Sequence, residues 1–485
     1  MSLRPMFAAI FLTLAFARAA GAETPPQAVT ITAAPGARQA FHGFGASALN
    51  FGKEYQMLTP AQRRTLSRTL WHDLRFKTLR LWFNTDQYAP APGGHNMATF
   101  RGNYVDSGLI ADAKAQGVTT LLLAPDNLPP YMAEKSPEGS ADTGMALKPA
   151  QTDAYADLLA DFLVRLRRET GIVPDVTGVQ NEPNDRERFR PAQVVEVVKR
   201  LRADLNAAGL SQVKIIAPEQ ANVDAGMFET SQALKADPVA WQSLAGLASH
   251  SYSNGTTPGS AALVAGTGKS YWMTEASANG PETPGDALRA ASLASRFLND
   301  MNHRVTDWIH FVGFEVPDPN DNATRILAYT PRPFSMTLFE KYFYYKQLSF
   351  SFDPGARFRL CSSSLDGDMT WTFGRKAHLN TAAARNPDGT WAIGLSNYTA
   401  PAFDPLARDP NGGWPPQTFA VTVRVPELAS VKSLRFAVRR SNRGADDAPD
   451  GVLVMHSGEV VVPRVGPLDL ITLRSVPNGK QTKKE

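Results

Sequence analysis

The chain has 485 residues, of which 43% are hydrophobic and 20% are charged. That length is too great for one ordinary hydrophobic core, so it predicts one large domain and a smaller one. The composition excludes a disordered or fibrous protein. A formal net charge of +4, from 50 basic and 46 acidic residues, excludes a strongly basic surface. We therefore expect neither a nucleic acid nor an anionic membrane as a partner.

The first 22 residues have the pattern of a secretory signal peptide. Arg4 precedes an apolar run over residues 6–17, and the small residues at 20–22 offer a cleavage site. The run is shorter than the ~20 apolar residues of a spanning helix, so we expect no membrane insertion. Cys361 is the only cysteine, which rules out an intramolecular disulfide. The sequence predicts a secreted monomer, in the periplasm or outside the cell.

Short apolar runs alternate with helical patterns between about residues 40 and 350. Eight runs are candidate strands, at residues 41–47, 77–83, 118–125, 176–183, 213–219, 247–253, 270–277 and 308–316. Most are apolar on both faces, as expected of parallel strands that helices cover. Eight such units predict an α/β fold, the (β/α)8 or TIM barrel, with its active site at the carboxyl ends of the strands.

The pattern changes after residue 350. Short alternating runs separated by Gly, Pro, Asn and Asp predict an antiparallel β-sandwich. QAVTITAAP, near the start of the mature chain, also has a strand pattern and no helix after it, so we assign it to the sandwich. The predicted organisation is a signal peptide (1–22), an N-terminal strand (23–40), the barrel (41–350), the C-terminal sandwich (351–478) and a disordered tail (479–485).

Two glutamates near the ends of runs are the candidate catalytic pair. Glu182 lies in GVQNEPND near the end of the fourth run, and Glu275 lies in KSYWMTEASANG near the end of the seventh. Both side chains can therefore approach a ligand at the centre of the barrel mouth. Two carboxylates ~5–5.5 Å apart can cleave a glycosidic bond with retention of configuration, whereas ~6.5–9.5 Å leads to inversion. Glu219 also ends a run, and a glutamate in that position is usually only solvated or salt-bridged.

Motifs for other chemistries are missing from the sequence. The histidines have no metal-ligand spacing, and no cysteine pair exists for zinc. No glycine-rich strand-to-helix turn indicates a nucleotide site, and no serine lies in a nucleophile elbow. We therefore expect neither a metal nor a cofactor.

Several segments resemble glycoside hydrolase family 30, within clan A of the retaining glycosidases. They occur in order along the chain as HGFGAS, LRLWF, GMALKPAQTDAYADLLADFL, GVQNEP, YWMTEAS and KYFYYKQLSFSFDPG. NEP alone is a motif of the whole clan, whereas the LKP…YA segment and the KQLS…PG exit are more specific. The resemblance implies a barrel joined to a side β-sandwich that includes the N-terminal strand. It also implies a retaining hydrolase of β-linked oligo- or polysaccharides.

The same resemblance implies roles for individual residues. Glu182 corresponds to the general acid/base and Glu275 to the nucleophile of a double displacement. Asn181 matches the clan residue that hydrogen-bonds the sugar 2-hydroxyl, and Arg80 matches an arginine near the nucleophile. The other predicted substrate contacts are His250, Tyr252, Trp82, Asp126, Asn127, Tyr131 and Phe314.

Two strand ends depart from the family pattern. Asp126, Asn127 and Leu128 follow the third run, where the family usually has a tryptophan, and the eighth run offers Phe314 and Glu315 in place of another. The sugar and the linkage therefore remain open. Two alternatives use the same scaffold: a non-catalytic carbohydrate-binding protein and a transglycosidase that employs the same residues.

Overall fold

Eight parallel strands close into a barrel in the computed structural model, which describes residues 25–48, 53–137, 143–185, 187–372, 375–400 and 414–476. The first to eighth barrel strands are Gly43–Ala48, Thr78–Asn84, Thr120–Asp126, Val176–Thr177, Lys214–Gln220, Leu244–His250, Ser270–Ala276 and Asp307–His310. Each barrel strand coincides with one predicted run, which confirms the TIM barrel. The predicted signal peptide and the predicted tail at 479–485 lie outside the described residues.

Helices cover the outside of the barrel. They span Lys53–Gln56, Pro60–Ser67, Thr85–Tyr88, Met97–Phe100, Leu109–Ala115, Thr152–Thr170, Pro191–Ala207, Ala225–Ala236, Pro238–Ser243, Pro258–Val264, Ala287–Asn302 and Glu340–Ser351. The second begins at Pro60, where the Thr59 side chain accepts the amide of Gln62 in a capping box. Within the described ranges, no helix has the length and apolar character needed to cross a membrane.

Two further sheets form the predicted sandwich. The six-stranded sheet has the order Arg357–Arg359, Leu379–Arg385, Trp391–Asn397, Leu470–Ser475, Leu434–Asn442 and Ala445–Met455. The four-stranded sheet has the order Cys361–Ser363, Gln27–Ala33, Phe419–Arg424 and Glu459–Val465. A hydrophobic core distinct from that of the barrel contains side chains of both sheets, among them Ile31, Ile393 and Val421. The predicted fold class, with an N-terminal strand in the sandwich, is confirmed.

The sequence predicts an antiparallel sandwich, but one pair of its strands is parallel. Gln27–Ala33 pairs antiparallel with Cys361–Ser363 but parallel with Phe419–Arg424. Antiparallel neighbours are typically joined by a hairpin, whereas a parallel neighbour requires a long connection. The whole barrel lies between these two strands in the chain, so no hairpin constrains their direction.

Three small sheets extend from the loops of both domains. Two are strand pairs, Ala133–Lys135 with Met145–Leu147 and Trp371–Thr372 with Arg375–Lys376, and the third has the three strands Phe314–Glu315, Leu327–Pro331 and Phe334–Leu338.

The interior of the barrel has an apolar layer below a polar one. Leu122, Val176, Ile216, Ala248, Trp272 and Ile309 form a buried cluster drawn from six barrel strands. Three residues further along the fifth and seventh strands lie Glu219 and Glu275, so the polar layer faces the carboxyl ends. That placement puts charged groups beneath the barrel mouth, where TIM-barrel enzymes have their active sites.

Candidate active site

A cleft of about 840 Å³ opens at the carboxyl ends of the barrel strands. It is lined by Trp82, Asn84, Asp126, Asn127, Asn181, Glu182, Asp185, Ala221, Asn222, Tyr252, Glu275, Asn279, Phe311, Asp321 and Thr324. Both glutamates singled out by the sequence therefore face the same cleft.

The two glutamates and one histidine lie close together. One carboxylate oxygen of Glu182, one of Glu275 and a ring nitrogen of His250 all lie within 4.8 Å of one another. Glu275 is only 2% exposed, whereas Glu182 is half-buried. The two carboxylates are therefore closer to the ~5–5.5 Å spacing of retaining glycosidases than to the ~6.5–9.5 Å spacing of inverting ones.

The backbone after the fourth barrel strand brings Glu182 into the cleft. Val176–Thr177 is short, but the chain beyond it stays between its neighbours, because the amide of Gly178 donates to the carbonyl of Leu123 at 2.9 Å. The amide of Asn181 donates to the carbonyl of Pro125 at 2.7 Å, and that of Glu182 to the carbonyl of Glu219 at 3.1 Å. Glu182 itself adopts φ 46°, a left-handed conformation that is uncommon outside glycine.

Arg80 and Tyr252 hold the carboxylate of Glu275. Arg80 Nη1 donates to Glu275 Oε1 at 2.5 Å, and the Tyr252 hydroxyl donates to Oε2 at 2.6 Å. Arg80 is fully buried and also donates from Nη2 to Asn181 Oδ1 at 2.9 Å. Burial raises the pKa of Tyr252 well above its ordinary value, and the nearby carboxylates raise it further, so its hydroxyl keeps its proton. Both oxygens of Glu275 are thus fixed in place.

His250 contacts Glu182. It ends the sixth barrel strand, is fully buried, and its Nδ1 lies 2.8 Å from Glu182 Oε1 and 3.6 Å from Glu275 Oε2. Burial lowers the pKa of His250 to about 4, so the ring is neutral near pH 7. The opposite ring nitrogen, Nε2, has no hydrogen-bond partner within the described part of the chain.

The other predicted contacts on the second and third strands also line the cleft. Asp126 accepts from Asn181 Nδ2 at 3.4 Å and from Asn127 Nδ2 at 3.2 Å. The guanidinium of Arg80 lies 4.8 Å from the centre of the Trp82 ring, and Trp82 meets Phe311 edge-on at 6.0 Å. The cleft therefore presents aromatic side chains next to amides and carboxylates.

Two of the predicted substrate contacts, Phe314 and Tyr131, do not line the cleft. Phe314 is 3% exposed and stacks on Tyr55 at 5.7 Å, outside the cleft, because the eighth barrel strand already ends at His310. Phe311, the next residue along the chain, takes the position in the cleft. Tyr131 is also not among the lining residues. Its main-chain carbonyl accepts a hydrogen bond from Lys148 Nζ at 2.8 Å. Arg80 and His250 also do not line the cleft, but they contact its two glutamates from beneath.

Glu219 differs in one respect from the ordinary strand-end glutamate that the sequence analysis describes. It is ion-paired, 3.5 Å from Arg80 Nη2, but it is fully buried instead of solvated. Its position at the end of the fifth run, the same as that of Glu275 in the seventh, was the available signal. The rim residues that were missed are Asn84, Asp185, Asn222, Asn279, Asp321 and Thr324.

Among the described residues, Glu182, His250 and Glu275 form the only group of histidine, cysteine and acidic side chains with metal-ligand spacing. The hydrogen bond between His250 and Glu182 accounts for their approach, so we assign no metal to them.

Comparison with solved structures identifies the fold. A GH30 subfamily 8 xylanase, Xyn30A from Clostridium acetobutylicum, matches with a TM-score of 0.65 and 19% identity over 92% of this chain and 99% of its own. The catalytic domain of GH30 xylanase C from Talaromyces cellulolyticus matches with a TM-score of 0.67 and 17% identity over 92% and 100%. The fold is that of glycoside hydrolase family 30.

A third similar structure has a different stated activity. The endo-β1,6-glucanase BT3312 matches with a TM-score of 0.62 and 18% identity over 92% of this chain and 94% of its own. A scan against protein-family models and a search of curated proteins found no match. At these identities the likeness extends to the fold, and the sugar that the cleft accepts has to be argued from the cleft itself.

Proposed function

We propose that the protein is a retaining glycoside hydrolase that cleaves β-linked oligo- or polysaccharides. The observation that carries this proposal is the approach of Glu182 and Glu275 to within 4.8 Å in a cleft at the barrel mouth. That spacing suits a direct attack by one carboxylate, since a water placed between two carboxylates needs ~6.5–9.5 Å. The glycoside hydrolases among the similar structures support the same reaction class.

In the first step, Glu275 attacks the anomeric carbon while Glu182 donates its proton to the leaving oxygen. The bond to the leaving group breaks and a glycosyl ester of Glu275 forms. Arg80 places a fixed positive charge beside one oxygen of Glu275, and Tyr252 orients the second oxygen. Asn181 is oriented by Arg80 and Asp126, which suits it to hold a sugar hydroxyl.

In the second step, the roles of Glu182 reverse. Now ionised, it removes a proton from a water, which attacks the anomeric carbon, breaks the bond to Glu275 and releases both the sugar with its original configuration and the free carboxylate. His250 suits both states of Glu182, because a neutral imidazole can donate from Nδ1 to a carboxylate or accept there from a carboxylic acid. No charged imidazole is needed, in agreement with the lowered pKa of His250.

The cleft favours an uncharged glycan. Five carboxylates line it, those of Asp126, Glu182, Asp185, Glu275 and Asp321, and no lysine, arginine or histidine is found among its described lining residues. A uronic acid would meet a negative field without a compensating cation. Trp82 and Phe311 offer the aromatic surface on which the apolar face of a sugar ring packs.

Product release from a panel of β-linked glycans, pairing neutral with uronic-acid-substituted members, tests the proposal. Wild type should release sugar from a neutral member and Glu275→Gln should not. Binding without turnover would favour the carbohydrate-binding alternative, and larger products at high substrate concentration would favour the transglycosidase.

We further propose that the protein acts outside the cytoplasm. N-terminal sequencing of the protein from a native host would test this proposal, and an intact residue 1 would contradict export.

A further inference from the structure

Glu219 has no role in the reaction described above, yet it contacts the backbone of one catalytic glutamate and the arginine that binds the other. Its main-chain carbonyl accepts the amide of Glu182 at 3.1 Å, and its side-chain oxygen lies 3.5 Å from Arg80 Nη2. Arg80 in turn donates to Glu275 at 2.5 Å. One guanidinium therefore lies between two buried carboxylates.

The barrel reserves space for the Glu219 carboxylate. Gly178, on the neighbouring fourth-strand segment, has no side chain, and a Cβ there would lie 1.7 Å from Glu219 Oε2. Glu219 adopts φ 60°, where the strand register with its neighbour shifts between Pro218 and Gln220. This local irregularity re-aims a side chain, as bulges near active sites do. The inward placement of Glu219 thus depends on two features of the backbone.

The charged and titratable groups that face Glu219 come from several elements. Arg80 comes from the second strand, Glu275 from the seventh, and Tyr155 from the helix Thr152–Thr170. Burial raises the pKa of Tyr155 well above its ordinary value, so this neighbour stays neutral. Burial also raises the pKa of Glu219 to about 7, against the opposing effect of Arg80 and with a contribution from Glu275. The charge of Glu219 therefore changes near neutral pH.

We propose that Glu219 is a positioning residue that sets the reactivity of Glu275 through Arg80. When Glu219 is ionised, its negative charge offsets part of the electrostatic effect of Arg80 on Glu275. The carboxylate of Glu275 is then less stabilised and is the stronger nucleophile. When Glu219 is protonated, the charge of Arg80 acts on Glu275 alone. This inference rests on the proposed glycosidase function.

The ratio of kcat/KM between wild type and Glu219→Gln, measured from about pH 5 to about pH 8, tests the inference. Glutamine mimics the protonated form at every pH. The ratio should be near one at the acid end and rise about tenfold through pH 7, the factor that corresponds to about 1.4 kcal/mol in the activation free energy. A ratio that does not change with pH would overturn the inference, because damage to the fold lowers activity equally at each pH.

Two further variants make the result decisive. Asp300→Asn is the matched control, since Asp300 is also a buried carboxylate with a raised pKa, of about 6, and lies in the helix Ala287–Asn302. Its ratio to wild type should be flat. Glu219→Asp retains the carboxylate but moves it away from Arg80. The ratio of kcat/KM between wild type and Glu219→Asp should therefore rise less with pH than the ratio for Glu219→Gln. This variant also replaces Glu219→Gln if Glu219→Gln does not fold. A wild type that hydrolyses no glycan would refute the proposed function instead.

Discussion

Replacing Arg80 by methionine tests how strongly the buried charges beneath the cleft depend on one another. Arg80 is fully buried, donates to Glu275 at 2.5 Å and lies 3.5 Å from Glu219. Removing one partner of a buried ion pair costs about 3–5 kcal/mol, because the remaining charge has no compensation. Here two carboxylates remain, so we expect a loss of free energy of unfolding near the upper end of that range at about pH 8.

The loss should become smaller at about pH 5. Without Arg80, the buried carboxylates of the folded variant bind protons at pH values where the same carboxylates of the unfolded chain are ionised. Lowering the pH by one unit therefore raises the free energy of unfolding of the variant by about 1.4 kcal/mol for each such proton. Urea unfolding at both pH values measures the effect. Arg200→Met is the control, since Arg200 pairs with Asp157 and Asp204 on the surface and should matter little. A loss for Arg80→Met below about 1 kcal/mol, or one independent of pH, would refute the reasoning.

Three other outcomes follow from the same site. Glu275→Ala should abolish hydrolysis, and azide should restore cleavage by attacking the anomeric carbon in place of the carboxylate, with a glycosyl azide as the product, so a lack of rescue would count against the nucleophile. Tyr252→Phe removes a 2.6 Å hydrogen bond to Glu275 and should lower kcat/KM by about 10–100-fold, whereas a change within about twofold would contradict that role. The free energy of unfolding of wild type, measured relative to Glu219→Gln or Asp300→Asn, should fall as the pH rises from about 4 to about 7, because folded Glu219 and Asp300, with raised pKa values of about 7 and about 6, retain protons that the unfolded chain releases. A stability difference that stays flat by urea unfolding over this range would be inconsistent with those raised values.

The barrel was predictable because its strands are buried on both faces and each is followed by a helical pattern. The sandwich was less so. Leu379–Arg385, with the sequence LNTAAAR, was not predicted as a strand, since alanine gives neither alternation nor β-propensity. Its burial comes from contacts with the helix Ala287–Asn302 and with the neighbouring strands, which local sequence does not reveal.

The site was predictable where topology alone decides it. Parallel strands bring their carboxyl ends together, so Glu182 and Glu275 could be paired from their positions in the chain. Phe314 was misplaced because an apolar run does not show where a barrel strand leaves the sheet, and this one leaves after His310. Glu219 was passed over because a glutamate at the end of a strand is usually only solvated or salt-bridged, and the sequence does not show that this one is buried beside Arg80.

The anomeric configuration of the first product tests the central claim most directly. Proton NMR during hydrolysis of a neutral β-linked glycan should show the β-anomer first in wild type, with no product from Glu275→Gln at the same protein concentration. That result is expected when two carboxylates this close act by double displacement. Initial release of the α-anomer, or equal release by both proteins, would contradict the retaining mechanism and the role of Glu275.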